Sequence, residues 1–244
     1  MDDVRWLVHA PTHRLGREVW TVGLGEDTVG RDGGGRSSQL DRLRIGDVAG
    51  ERDVVPPLEG CRNVDLLLGD ALRLDLAALD PRPTKLVANL PYNVATPIVV
   101  ESLDGLPSIE RWCVMVQREV ADRFVAAPGT KAYGAVSVLV QLATERVGFH
   151  PVSRTVFRPP PNVDSALVAL RRRGPLPESY PAVKRLVEAA FAHRRKTLPN
   201  SLELAGLTDR QRAAAALEQL GVPAATRAER LAPHDFAALA ELLA

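Results

Sequence analysis

The chain has 244 residues, 45% hydrophobic and 25% charged, with a formal net charge of +1; that length buries a full core in one or two domains, and that balance excludes a disordered chain, a fibre and a disulfide-stapled miniprotein. No window reaches the roughly 18 uninterrupted apolar residues of a membrane span, and the opening MDDVRWLVHA mixes charges where a leader needs an apolar run, so a soluble, cytoplasmic protein is expected. Cys61 and Cys113 lie far apart with no His or Cys at ligand spacing, which points to ordinary thiols rather than a zinc site or a disulfide framework.

Residues 16–60 hold ten of the 18 glycines, including Gly33-Gly34-Gly35, with few apolar residues at regular spacing, and read as loop. From Val64 onward, apolar runs of strand length alternate with helical patterns: VDLLL at 64–68, KLVA at 85–88, a helix over 96–103, then WCVMV at 112–116. This is the grammar of βαβ units, and continuous runs such as 64–68 predict strands covered on both faces. Helices follow over 118–125 and 135–143; VGFHPV and SALVAL then predict two strands joined as a hairpin through the turn Arg158-Pro159-Pro160-Pro161. Beyond the break at Gly174-Pro175-Leu176-Pro177 the pattern is helical over 181–192, 196–204, 208–220 and 233–243. Thr208 and Asp209 open the third of these as N-cap residues, and Gly221 and Pro223 close it. The expectation is an α/β domain over 61–173 and a small all-helical domain over 178–244, preceded by a segment, 1–60, of different character.

Charge is unevenly placed: residues 166–244 carry 12 basic against 8 acidic side chains, concentrated in Arg171-Arg172-Arg173 and Arg194-Arg195-Lys196. A polyanion could use those runs, and a plain solvated face produces them equally well. The most informative segment is Asn89-Leu90-Pro91-Tyr92, between the strand KLVA and a helix. In an open α/β sheet ligands bind at the carboxyl ends of strands, so this turn presents its polar groups to the expected site. Its residue types suit attack by the exocyclic amine of a base. The adenine N6 lone pair is delocalised into the ring, and a site that accepts hydrogen bonds from both N–H groups aims that pair at an electrophile. The Asn89 side-chain oxygen and the backbone carbonyl of Leu90 or Pro91 can do this. Tyr92 adds a stacking face worth roughly 1–3 kcal/mol per base. No general base is needed before attack, because the amine is already neutral, so orientation and electrostatics carry the catalysis. As a plain strand-to-helix turn, the same tetrapeptide would have Asn capping and Pro-Tyr packing. The five histidines form no triad and no metal cluster, and no metal is expected.

Taken together, the motifs resemble a family. N-L-P-Y-N-V-A-T-P at 89–97, Q-R-E-V-A-D-R at 117–123, K-A-Y-G at 131–134, F-R-P-P-P-N-V-D-S-A at 157–166, H-R-R-K-T-L-P-N-S-L at 193–202 and T-R-A-E-R-L at 226–231 are similar to the KsgA-type 16S ribosomal RNA adenine dimethyltransferases. They occur in the family's order, and the resemblance covers about residues 61–244. It implies a Rossmann-like class I methyltransferase sheet with an all-helical C-terminal domain and S-adenosylmethionine as methyl donor. It also implies dimethylation of N6 on two adjacent adenines in a hairpin loop of 16S rRNA during small-subunit maturation. By residue, the resemblance implies that Asn89, Leu90, Pro91 and Tyr92 grip the adenine and that Phe157 closes the other side of the base. Asp70, Ala71 and Asn89 would meet the donor, while Lys131, Arg194, Arg195 and Lys196 would face RNA. Read alone, Asp70 is an ordinary N-cap. The target base must leave its stack to enter. Leu90, where the related large-subunit resistance methylases tend to carry Ile, favours the small-subunit branch. A monomer working on the small subunit without metal or membrane is implied.

The agreement stops before residue 60. The family's donor loop is E-x-G-x-G-x-G after the first strand, with an acid ending the second strand. Here Val19-Trp20-Thr21-Val22-Gly23-Leu24-Gly25-Glu26 comes nearest, without the leading acid or the third glycine, and Asp41 and Asp47 sit among Arg and Gly. Residues 1–60 are therefore expected to be an atypical remnant of the cofactor-binding half, with the first two strands of the sheet not visible and apolar surface left on the others. Two origins stay open: real divergence, or a shifted reading frame, which translation of the gene in its other frames tests. Loss of donor binding would make the chain a non-catalytic RNA-binding ribosome-assembly factor, the alternative function.

Overall fold

The computed structural model describes residues 4–9, 20–25, 66–68, 71–80, 82–158 and 160–244, the first three stretches by their backbone alone. Among the described residues seven strands form one sheet: β1 (Val4–His9), β2 (Trp20–Gly25), β3 (Leu66–Leu68), β4 (Lys85–Asn89), β5 (Arg111–Gln117), β6 (Thr144–Val152) and β7 (Ser165–Arg172), in the order β3-β1-β2-β4-β5-β7-β6. The helices described are α1 (Ala95–Gly105), α2 (Arg118–Phe124), α3 (Ala135–Ala143), α4 (Tyr180–Ala192), α5 (Leu198–Leu204), α6 (Arg210–Gln219) and α7 (Pro233–Leu243). No helix among them is long and apolar enough to cross a membrane. Packing groups the described residues up to Gln117 with Val147–Arg171 as one unit, and Arg118–Arg146 with Arg172–Ala244 as the other. Helices α2 and α3 thus group with the C-terminal helices.

In the first unit β4 and β5 run parallel, and β7 runs antiparallel to β5, with Asn89 opposite Met115 and Gln117 opposite Ser165. One face of these strands is core: Leu86 and Ala88, then Trp112, Val114 and Val116, then Ala166, Val168 and Leu170 are all buried. Helix α1 supplies Val99 and Leu103 to the buried set, and the Trp112 indole N–H donates to Ser102 Oγ at 2.8 Å, pinning the helix to β5. Each buried Val or Leu of this set contributes roughly 1.5–3 kcal/mol. The opposite face is only partly covered, with Val87 43% and Leu167 36% exposed. The expectation of strands covered on both faces is therefore corrected for β4 and β5; the side chains of 64–68, on which it rests, lie outside the described residues. Both faces are apolar in composition, so the pattern looks doubly buried, yet the burial itself has period two.

The N-terminal reading is corrected as well. Residues 20–25, expected as loop, form β2, and Val4–His9 pairs with it antiparallel, His9 opposite Trp20 and Val4 opposite Gly25. The edge of β4 needs backbone partners, and Val22 and Gly23 supply them opposite Ala88 and Val87. Ladder bonds use N–H and C=O only, which is why a glycine-bearing segment can serve. A doubly wound sheet has the order 3-2-1-4-5; here the chain's hairpin fills the second and first places, so the strand beside β4 runs against it.

The second unit is helical. Tyr133 lies at its centre, fully buried, with its hydroxyl donating to the Leu231 carbonyl at 2.8 Å and its ring edge-on to Phe191, which in turn meets Phe236. Arg173 bonds the end of α3: its N–H donates to the Ala143 carbonyl at 3.0 Å, and its Nε to the carbonyls of Thr144 at 3.0 Å and Gln141 at 3.2 Å. One member of the first basic run is thus a helix C-terminal cap, where a cation is favoured. Gly221, at φ +71°, follows α6, and the Asp209 carboxylate accepts the Arg212 N–H at its start.

Candidate active site

The turn after β4 is built on buried atoms and presents exposed ones. Leu90 is fully buried and its N–H donates to the Met115 carbonyl at 3.0 Å, carrying the β4–β5 ladder one residue past the strand. The Pro91 carbonyl accepts from the N–H groups of Val94 at 3.1 Å and Ala95 at 2.9 Å, starting α1. Pro91 has no N–H to satisfy and a fixed φ, so the chain can turn sharply there. Asn89 and Tyr92 are left at the upper surface, Asn89 exposed and Tyr92 half-buried. Among the described residues no group occupies the Asn89 amide.

Engagement of Pro91 separates the two backbone candidates. Both lone pairs of its carbonyl are taken by α1, so the Leu90 carbonyl is the one left to face a ligand beside the Asn89 side chain. Tyr92 is fixed from across the sheet: its hydroxyl shares a 3.0 Å hydrogen bond with Ser165 Oγ, at the first residue of β7. Phe157 is half-buried and follows the 3-10 turn Arg154–Val156 in the segment leading to Ser165. That segment is closed on itself, since the Arg154 N–H donates to the Asp164 carboxylate at 2.9 Å and its guanidinium to the Asn162 carbonyl at 3.2 Å.

Other sequence-selected residues fall elsewhere. Asp70 lies outside the described residues. Ala71 is half-buried and lines, with Leu74, Leu76, Leu86, Ile98 and Leu106, a cavity of about 240 Å³ to which residues 89–92 do not contribute. Lys131, Arg195 and Lys196 are exposed in the second unit. Arg194 is exposed too, but its Nη2 donates to the Tyr133 carbonyl at 3.0 Å, so part of its guanidinium is structural. Tyr133, inside the K-A-Y-G motif, is core, and burial followed by the Asp235 carboxylate pushes its phenol above the ordinary range. Burial lowers the Arg172 guanidinium, opposed by Tyr180. Ser165, the partner of the Tyr92 hydroxyl, was not singled out from the sequence; a small hydroxyl opening the strand after the Pro-rich turn was the available signal. No group of three or more His, Cys, Asp or Glu side chains is gathered for a metal among the described residues.

The methyl donor can be tested against this geometry. At the carboxyl end of β4 the Asn89 amide is exposed, and neither it nor the Leu90 carbonyl is bonded among the described residues. Gly23-Leu24-Gly25 does not fit as the cradle of the donor's methionine half, because pairing of Val22 with Ala88 and Gly23 with Val87 sends those glycines toward the amino end of β4. Glycines in a cradle must lie in a turn at the carboxyl end.

The sequence pattern of the family described as Ribosomal RNA adenine dimethylase matches residues 57–244. A Ribosomal RNA small subunit methyltransferase A from Rubrobacter xylanophilus is 52% identical over 191 residues, 77% of this chain and 72% of that one. Proteins of the same name from Thermobifida fusca and Lactiplantibacillus plantarum are 48% and 44% identical, covering 72% and 74% of this chain and 61% and 65% of their own. The chain thus spans about two thirds of the length of the relatives it matches. Among solved structures, a dimethyladenosine transferase from Plasmodium falciparum aligns at TM-score 0.61 with 24% identity, over 77% of this chain and 76% of that one, a likeness of fold. The 23S rRNA methyltransferase ErmE aligns at 0.54 with 29% identity, over 79% and 77%.

Proposed function

The chain belongs to the ribosomal RNA adenine dimethylase family, and from that premise we propose that it dimethylates N6 of two adjacent adenines in a hairpin loop of 16S rRNA, during maturation of the small subunit. The observation that carries this reading is the turn at 89–92, where one side-chain amide and one backbone carbonyl stand unoccupied beside an anchored aromatic ring. Small-subunit rRNA is favoured over large-subunit rRNA because relatives at 44–52% identity are named for it, whereas the likeness to ErmE is 29%. The protein acts as a monomer in the cytoplasm, where subunits mature.

S-adenosylmethionine is the methyl donor of this family and supplies an electrophilic methyl group when bound; Ala71 and Asn89 are the described residues assigned to it. The Asn89 amide oxygen and the Leu90 carbonyl each accept one N6–H of the flipped adenine, which draws the amine toward tetrahedral geometry and frees its lone pair for attack. Tyr92 stacks on one side of the base and Phe157 covers the other, excluding water. After one transfer a single N6–H remains and one acceptor suffices to hold it, so the same turn serves both rounds. Lys131, Arg195 and Lys196, with the remaining donors of Arg194, meet RNA phosphates.

The test is nucleoside mass spectrometry and position mapping on rRNA from unmodified small subunits incubated with this protein and the donor. Two adjacent dimethyladenosines, absent with Asn89→Ala, are expected. Binding to the subunits by a folded sample with no new methyladenosine would overturn the assignment in favour of a non-catalytic assembly factor.

A further inference from the structure

We propose that Ser165 is a positioning residue for the methyl acceptor, its hydroxyl holding the Tyr92 ring in the plane on which the adenine stacks; this rests on the reading of residues 89–92 as the adenine site. Ser165 is 1% exposed and opens β7, opposite Gln117 at the end of β5. Its Oγ and the Tyr92 hydroxyl, 73 residues apart in sequence, are 3.0 Å apart. Stacking alone does not require a hydroxyl at position 92, since phenylalanine offers the same face. What the hydroxyl adds is a second point of attachment. One end of the Tyr92 side chain is fixed by the turn, whose Leu90 N–H and Pro91 carbonyl are both bonded, and the other end is fixed to the sheet. With both ends held, the ring cannot swing about its Cα–Cβ and Cβ–Cγ bonds, and its plane is set before the base arrives.

Ser165 also terminates the segment that carries Phe157, closed by the Arg154 to Asp164 hydrogen bond. A single hydroxyl pair therefore ties the aromatic residue on one side of the base to the segment bearing the aromatic residue on the other. A buried serine hydroxyl needs a partner in any fold; this one has its partner in the side chain that must not move.

The experiment is steady-state methylation of unmodified small subunits by wild type, Tyr92→Phe, Ser165→Ala, the double variant, Ser165→Thr and Tyr92→Ala, with thermal melting of each. Tyr92→Phe and Ser165→Ala are each expected to lower kcat about tenfold with little change in KM, the double variant to fall no lower than either, and Ser165→Thr to recover most of the loss. If Ser165→Ala costs as much in the Tyr92→Phe background as in wild type, Ser165 does not act through Tyr92 and the proposal is overturned while the adenine site stands. If Tyr92→Ala turns over like wild type, the reading of the site falls and the proposal with it. Should Ser165→Ala fail to fold, Tyr92→Phe decides alone: turnover equal to wild type overturns the tether.

Discussion

Asn89 sits where a side-chain amide has nothing else to do. It ends a strand whose next residue is bonded to β5, it is exposed, and among the described residues its amide has no partner. Asn89→Ala therefore removes the acceptor proposed for N6 and leaves the turn intact, so kcat is expected to fall on the order of 100-fold or more while subunit affinity stays within about twofold, as filter binding checks. Loss of affinity matching the loss of rate would place Asn89 in ground-state binding. Tyr133 makes the opposite kind of prediction, about stability. Its phenol is raised above the ordinary 10.0 by burial and by Asp235. The unfolded chain then loses that proton at lower pH than the folded one, so the contribution to stability is complete below pH 10 and declines as pH rises beyond it. Tyr133→Phe is expected to flatten this alkaline decline in urea titrations, and to cost about 1 kcal/mol at neutral pH by stranding the Leu231 carbonyl. An unchanged alkaline slope would show that other groups set it. Residues 89–92 were legible in the sequence because they are consecutive and chemically unusual. Two things were not: the Pro91 carbonyl is spent on α1, and Tyr92 is held by Ser165, and both depend on packing rather than on residue type.

At the scale of elements, β4, β5, β7 and the helices after residue 117 were readable because apolar period and capping residues agree there. The hairpin of β1 and β2 was not, since glycines mask strand propensity and nothing local sets the direction of a strand against β4. Its consequence is concrete: the glycines nearest to a donor loop pass to the wrong end of the sheet, which periodicity could not reveal. The segment following α4 illustrates a different separation. Arg194 is bonded to the Tyr133 carbonyl whereas Arg195 is exposed. Arg195→Ala is expected to reduce the slope of log affinity for rRNA against log salt by about one without changing the melting temperature. Arg194→Ala should reduce the slope and also lower the melting temperature. A slope unchanged by Arg195→Ala would assign that run to a plain solvated surface.

For the whole molecule, the residues proposed for the acceptor site lie in the sheet unit, and the exposed cations proposed to meet RNA lie in the helical unit. The sheet unit leaves Val87 and Leu167 in solvent on its second face. Such a face binds hydrophobic dyes and favours association. Replacing both residues by Thr is expected to reduce dye fluorescence and to shift stability by no more than about 0.5 kcal/mol, as for other surface sites. A larger loss would mean that the face is covered in solution.

A methyltransferase must hold its donor, and in this chain Gly23 and Gly25 run from beside Val87 toward the amino end of β4, away from Asn89. Calorimetric titration of the folded full chain with S-adenosylmethionine tests the assignment at that point. Saturable one-to-one binding, preserved in Tyr92→Phe, is expected. No heat of binding from a sample that unfolds cooperatively would contradict it, leaving an adenine site without a methyl group to give.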